Sequence, residues 1–299
     1  MLRNQKTIPN FCIWSDLLGF GGAFVEGGWS LNNTISQKNV ERLRRLENSL
    51  HRSNDPAKEV ALVLNDGLAR VYDFPGPRSD AMQFLWWLHT ALSNHWLLNT
   101  IDIQHGSPGV RSVMSFGDRL VSWRGHTTYG DHFLGNTKQK LLADKKICIY
   151  SPDEFQLNLA FSKAYIIESS GSAAGLSGPN MYIDQQALEA IESYLCGCIF
   201  NHLIPDGSED HGDYGLLKMR TTTASYEVTR DVNSDEFTFE IIRIVEGNRY
   251  DVMSMQFEAS PINFNQRGIR TEIYRLKKYF PLDEEKTFFF DYQDYRWKT

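Results

Sequence analysis

Asp16 and Asp66 are the residues whose type and placement point most directly to chemistry. Asp16 follows the apolar run Phe11-Cys12-Ile13-Trp14, which reads as a buried strand ending at Ser15-Asp16. Asp66 lies in Asn65-Asp66-Gly67, an Asx-Gly turn signal between the strand-like runs Glu59–Leu64 and Leu68–Tyr72. Two carboxylates brought close together repel, and a cation between them relieves the repulsion. A pair of divalent ions about 3.5–4 Å apart can polarise a phosphate for in-line displacement. Mg²⁺ suits such an oxygen-only site, with nucleotide phosphates completing its shell. The loop Leu17-Leu18-Gly19-Phe20-Gly21-Gly22 then leads away with backbone N–H groups suited to a triphosphate. Each aspartate also has an ordinary structural reading: Asp is a good helix N-cap, and Asn-Asp-Gly is common turn chemistry.

The pair acts together only if the fold brings them together. After the first strand, residues 36–50 carry Val40, Leu43, Leu46 and Leu50 at helical spacing, with Ser36 as a candidate cap. The hairpin follows, then a long aromatic-rich helix from Ser79-Asp80 to about Leu98. Gly109–Ser115 reads as a strand, which Arg119–Trp123 extends or pairs with. A polar insertion opens at Gly125-His126, and Lys146–Tyr150 is a short strand candidate. Ser151-Pro152-Asp153-Glu154 starts a helix running to about Ser170; Asn180–Ile183 is a strand, followed by a helix from Gln185 to about Cys198. The order is β-α-β-β-α-β with further α and β: an α+β chain built on the ferredoxin-like split unit, whose first and third strands are neighbours. From Leu216 onward the runs are β-branched and aromatic, as expected of a β-rich module. The polar loop 205–213 reads as the boundary, giving domains 1–204 and 214–299. Aromatics such as Phe288-Phe289-Phe290 and Trp297 form sheet core or line a protein-partner surface.

Composition excludes several classes. The net charge of -6, from 31 basic and 37 acidic residues, argues against an extended nucleic-acid surface but not against a nucleotide. No apolar run approaches the roughly 20 residues of a membrane span. The N-terminus lacks the apolar core of a signal peptide. Cys12, Cys148, Cys196 and Cys198 are too few and scattered for a disulfide framework, so a reduced, cytoplasmic protein is expected.

Ser15-Asp16-Leu17-Leu18-Gly19-Phe20, the hairpin Asn65-Asp66-Gly67 and the strand Val110-Arg111-Ser112-Val113-Met114-Ser115-Phe116-Gly117 together resemble the motifs of class III nucleotide cyclases. The chain is also similar to a group of bacterial cyclase-like proteins with an N-terminal Asp-Ile-Leu-Gly-Phe motif, an Ala-Tyr-x-x-Glu helix and an aliphatic-Asp strand. Ala164-Tyr165-Ile166-Ile167-Glu168 and Ile183-Asp184 fit those last two. The resemblance covers roughly residues 8–198.

It implies two Mg²⁺ or Mn²⁺ ions on Asp16 and Asp66, and a nucleoside triphosphate whose phosphates meet the backbone of Leu17, Gly19 and Phe20. It further implies Asn158 orienting the ribose, Lys163 neutralising charge, and a homodimer. Arg111 holds a phosphate or pairs with a carboxylate. The chain departs from the family at Asn65, where a glycine usually precedes the second aspartate, and in two further places. Ser162 stands where an arginine is usual, and Ala61-Leu62-Val63-Leu64 lacks the purine-reading lysine. These departures point to a pyrimidine cyclic nucleotide, as in bacterial phage defence, or to a catalytically inactive nucleotide sensor or interaction scaffold. A metal-dependent oligonucleotide synthetase with a palm-like sheet is a third reading.

Overall fold

The computed structural model describes residues 6–50, 59–74, 81–121, 152–196, 199–205, 219–281 and 288–289. The strand candidate at 146–150, the polar insertion, residues 206–213 of the boundary loop and the C-terminal Trp297 lie outside them.

Strand β1 (Thr7–Leu17) is central, its middle buried on both faces. Helices α1 (Phe20–Glu26) and α2 (Thr34–Leu50) lead to the hairpin β2 (Glu59–Leu64) and β3 (Gly67–Asp73). Helix α3 (Ala81–Gln104) returns the chain to β4 (Val110–Leu120). The sheet runs β2-β3-β1-β4, with β3 and β4 both antiparallel to β1. This is the split βαββαβ order expected from the sequence. A 3-10 turn (Asp153–Phe155) precedes α4 (Leu159–Ser170), and β5 (Met181–Asp184) then pairs parallel to β4 before α5 (Gln185–Cys196).

The later strands are β6 (Ile199–Pro205), β7 (Met219–Val232), β8 (Glu236–Val245), β9 (Asn248–Glu258), β10 (Ile262–Gln266), β11 (Ile269–Pro281) and β12 (Phe288–Phe289). They continue the same sheet: β11 pairs with β5 on one side and with β9 on the other, and β8, β7 and β6 follow. The join comes from pairing between residues about ninety apart, such as Ile183 with Tyr274, and local pattern does not report such contacts.

Alternation along β1 sorts the core into two layers. Phe11 and Ile13 face α3 and α5, where Phe84, Leu88, Leu92, Leu188 and Ile191 cover them. Cys12 and Trp14 face α4, against Ala160, Ala164 and Ile167. Asp16 continues the second row.

Helix α4 sits tightly on β4 at Gly117, where a Cβ would come within 3.0 Å of the Ala160 amide nitrogen. Its start lies later than the sequence reading placed it. Leu157 adopts φ 49°, separating the 3-10 turn from the helix, and Asn158 is the cap, accepting from the Phe161 N–H at 2.9 Å. Ser36 is likewise inside α2 rather than capping it; Asn33 accepts the Ile35 N–H at 2.8 Å in that role.

Candidate functional site

The split sheet carries the two aspartates to one end. Asp16 lies opposite Gly67 in the β1–β3 register, and the Leu17 N–H donates to the Asp66 carbonyl at 3.0 Å. On the other side Asp16 lies opposite Arg111. The Asp16 carboxyl is held up at about 7 by burial first, then by the negative charges of Glu168 and Asp66, with Arg111 and Arg42 pulling the other way. The site is therefore short of positive charge where Asp16 sits. Among the described residues no group of three or more His, Cys, Asp and Glu side chains forms a metal cage.

The loop after Asp16 is anchored by its backbone. Gly19 takes the left-handed conformation, φ 69°, ahead of α1, and a Cβ there would stand 3.1 Å from Pro108. The Leu18 N–H donates to the Gly109 carbonyl at 3.0 Å, and the Asn39 amide donates to the Phe20 carbonyl at 2.6 Å. The Leu17 amide is engaged with Asp66. The amides of the first turn of α1, Phe20 onward, have no acceptor within the helix.

Arg111 does not point a free guanidinium at the site. Its Nη2 and Nε donate to Glu168 Oε1 at 2.6 and 2.9 Å, and its Nη1 donates to the Leu176 carbonyl at 3.1 Å. It realises the carboxylate-pairing alternative and ties β4 to the end of α4.

Asn158 and Lys163 lie elsewhere in the same chain. The Asn158 amide donates to Asn10 Oδ1 at 2.9 Å and to the Glu154 carbonyl at 2.8 Å, and the residue is fully buried. Asn10 is six residues before Asp16, so Asn158 sits about 20 Å along β1 from the aspartates. Lys163 reaches Asp184 Oδ2 at 2.8 Å and donates to Gln186 Oε1 at 2.7 Å. Burial raises the Asp184 carboxyl against the pull of Lys163. Lys163, Ser162, Phe116, Ile166 and Gln186 line a surface cavity of about 710 Å³.

Residues the sequence reading passed over lie behind the site. The buried stripe of α2 is Ser36, Asn39, Arg42, Leu46 and Ser49. The apolar stripe at Val40, Leu43 and Leu50 is only half buried. On the α3 face, Ser15 Oγ and Ser112 Oγ share a 2.7 Å hydrogen bond, and Ser112 Oγ shares another of 2.7 Å with His95 Nδ1. Asn39 and Arg42 on one helical face were the available signal, since buried polar residues at i, i+3 must find partners.

The fold is α+β, with the split sheet at its centre. Among solved structures, the guanylyl cyclase Cya2 is similar at 12% identity and TM-score 0.42, covering 96% of this chain and 99% of that one. The adenylyl cyclase CyaB from P. aeruginosa is similar at 9% identity and TM-score 0.42, covering 91% and 95%. The catalytic core of a rhodopsin-guanylyl cyclase with converted specificity is similar at 11% identity and TM-score 0.31, covering 73% and 97%. No protein-family profile and no curated protein matches the chain. Among the described residues no helix is long and apolar enough to cross a membrane.

Proposed function

We propose that this protein is a divalent-metal-dependent nucleotidyl cyclase. One observation carries the reading: the β1–β3 register sets Asp16 beside the Asp66 hairpin at one sheet end, with burial and neighbouring carboxylates opposing the charge on Asp16. Asp16 and Asp66 would hold Mg²⁺ or Mn²⁺, which when bound supplies neutralisation of the phosphates and lowers the cost of ionising the ribose 3′-hydroxyl. In the reaction that oxygen attacks the α-phosphorus and pyrophosphate leaves. The Gly19–Phe20 backbone orients the phosphates.

Within one chain Asn158 and Lys163 are remote from Asp16, so any part they take requires a second copy. Leu157 (71% exposed), Leu159 (62%) and Tyr165 (46%) leave apolar surface around α4, and Leu64 (55%) continues the row of Val60 and Leu62 on the same face of the sheet. Such a patch favours a homodimer. The apolar run Ala61–Leu64, with no lysine to read a purine, favours a pyrimidine base, and a cyclic pyrimidine nucleotide fits a role in phage defence.

The test is incubation with Mn²⁺ and each of ATP, GTP, CTP and UTP, read by mass spectrometry, beside Asp66→Ala. A cyclic mononucleotide lost in the variant supports the cyclase and names the base; a linear oligonucleotide points to a synthetase instead. The burial of Asn158 and the Arg111–Glu168 pair favour a second reading, a catalytically inactive nucleotide sensor or scaffold. Nucleotide binding without turnover, in a folded dimer, selects it.

A further inference from the structure

We propose that Arg42, through Asp102, is the positioning residue that holds the metal- and phosphate-binding loop in shape; this rests on the cyclase reading of Asp16 and Asp66. Arg42 lies in the buried stripe of α2 and Asp102 near the end of α3, and both side chains are 4% exposed. Arg42 donates through Nε to Asp102 Oδ1 at 2.9 Å and through Nη2 to Oδ2 at 2.8 Å, a two-pronged pair. The same Nη2 donates to the Leu18 carbonyl at 2.9 Å. Leu18 in turn donates its N–H to the Gly109 carbonyl at 3.0 Å, and the Gly109 N–H donates to Asp102 Oδ2 at 3.2 Å.

The contacts close into a circuit: Arg42 to Leu18, Leu18 to Gly109, Gly109 to Asp102, Asp102 back to Arg42. Leu18 is two residues past Asp16, and Gly109 is two residues before Arg111, which faces Asp16 across the sheet. The circuit thus joins the two chain segments that frame Asp16, from behind and out of reach of solvent. Asn39, one helical turn before Arg42, extends the grip to the Phe20 carbonyl. Arg45, itself more exposed, approaches the same Asp102 carboxylate at 3.7 Å. A fork is required at position 42, because one group must meet a carboxylate and a carbonyl at once, and lysine offers charge without that geometry.

The experiment compares wild type with Arg42→Lys, which keeps the charge and the aliphatic stem, and with Ile191→Ala, a core variant in α5 that does not touch the loop. Three quantities are read: melting temperature, exchange of the Leu18 amide, which is bonded to the Gly109 carbonyl, and the Mn²⁺ concentration that half-saturates turnover. In Arg42→Lys, exchange is expected to rise at least tenfold and half-saturating Mn²⁺ at least fivefold, with kcat at saturating Mn²⁺ changed less. Ile191→Ala is expected to lower the melting temperature while leaving the other two quantities near wild type. Wild-type exchange and Mn²⁺ dependence in Arg42→Lys would overturn the proposal, as would equal shifts in Ile191→Ala. A wild-type protein that turns over no nucleotide sinks the cyclase reading and, with it, the Mn²⁺ comparison. Exchange at Leu18 needs no activity, so it still decides whether Arg42 holds the loop.

Discussion

Asp16 and Arg111 stand directly opposite each other across β1 and β4, yet the Arg111 guanidinium turns to Glu168 on α4. Three charged side chains from three elements meet at this point, and the arginine is committed to one carboxylate by two donors. Breaking a buried pair by removing one partner costs about 3–5 kcal/mol, whereas replacing both is often near neutral. Arg111→Leu is therefore expected to destabilise by about 3 kcal/mol and the double variant Arg111→Leu/Glu168→Leu by less than half of that, on the same reasoning. Urea unfolding of the two single variants and the double gives the coupling. A single-variant cost under about 1 kcal/mol would place the pair in the class of exposed salt bridges instead.

Asn158 supplies a sharper test of its own role. As a simple N-cap, aspartate would replace it at little cost. Here its Nδ2 donates to Asn10 and to the Glu154 carbonyl, so a carboxylate would face two acceptors with nothing to give. Asn158→Asp is expected to cost more than Asn158→Ser, by about 1–3 kcal/mol for the buried acceptors left unsatisfied. Thermal unfolding at neutral pH decides it, and equal costs would mean that only the cap matters.

The legible parts of this molecule were those set by local pattern. The apolar run Phe11–Trp14 gave β1, Asn65-Asp66-Gly67 gave the hairpin, and the split order then required Asp16 and Asp66 to end up together. Asn158 caps α4 and ties it to β1 through three bonds, one of them to Asn10, a partner that local pattern does not report. The anchoring function of Arg42 was hidden because apolar spacing drew the α2 stripe through Val40 and Leu43. The buried face is rotated onto Asn39 and Arg42, whose partners are backbone carbonyls and an aspartate sixty residues on. Strands β6 and β10 went unread because each is fixed by a non-local or hairpin partner rather than by strong alternation.

His95 gives the fold a defined response to acid. Burial depresses its pKa from 6.5 to about 3, so the folded protein keeps it neutral and bonded to Ser112. The unfolded chain takes up the proton first. Its contribution is complete above about pH 6.5 and is lost as pH falls from there toward 3, at up to about 1.4 kcal/mol per pH unit. Between pH 7 and 5, wild type is expected to lose stability relative to His95→Gln, which does not titrate. Urea midpoints measured across that range give the two slopes, and parallel lines would mean that the imidazole is protonated in the folded state.

The glycines separate close packing from chain freedom. At Gly117 an added Cβ meets backbone, the Ala160 nitrogen at 3.0 Å and the Leu159 carbonyl carbon at 3.3 Å, and backbone cannot swing aside as a side chain would. Helix α4 must lift from β4 to admit it. Gly117→Ala is therefore expected to cost about 1–3 kcal/mol, as overpacking does. Gly21 lies inside α1, and a Cβ there meets nothing within 4 Å. Gly21→Ala is expected to stabilise by about 0.5–1 kcal/mol, because alanine loses less backbone freedom on entering a helix. The two substitutions add the same methyl group and are expected to move the unfolding midpoint in opposite directions. A gain in both would show that α4 does not rest on β4 as closely as Gly117 and Ala160 require.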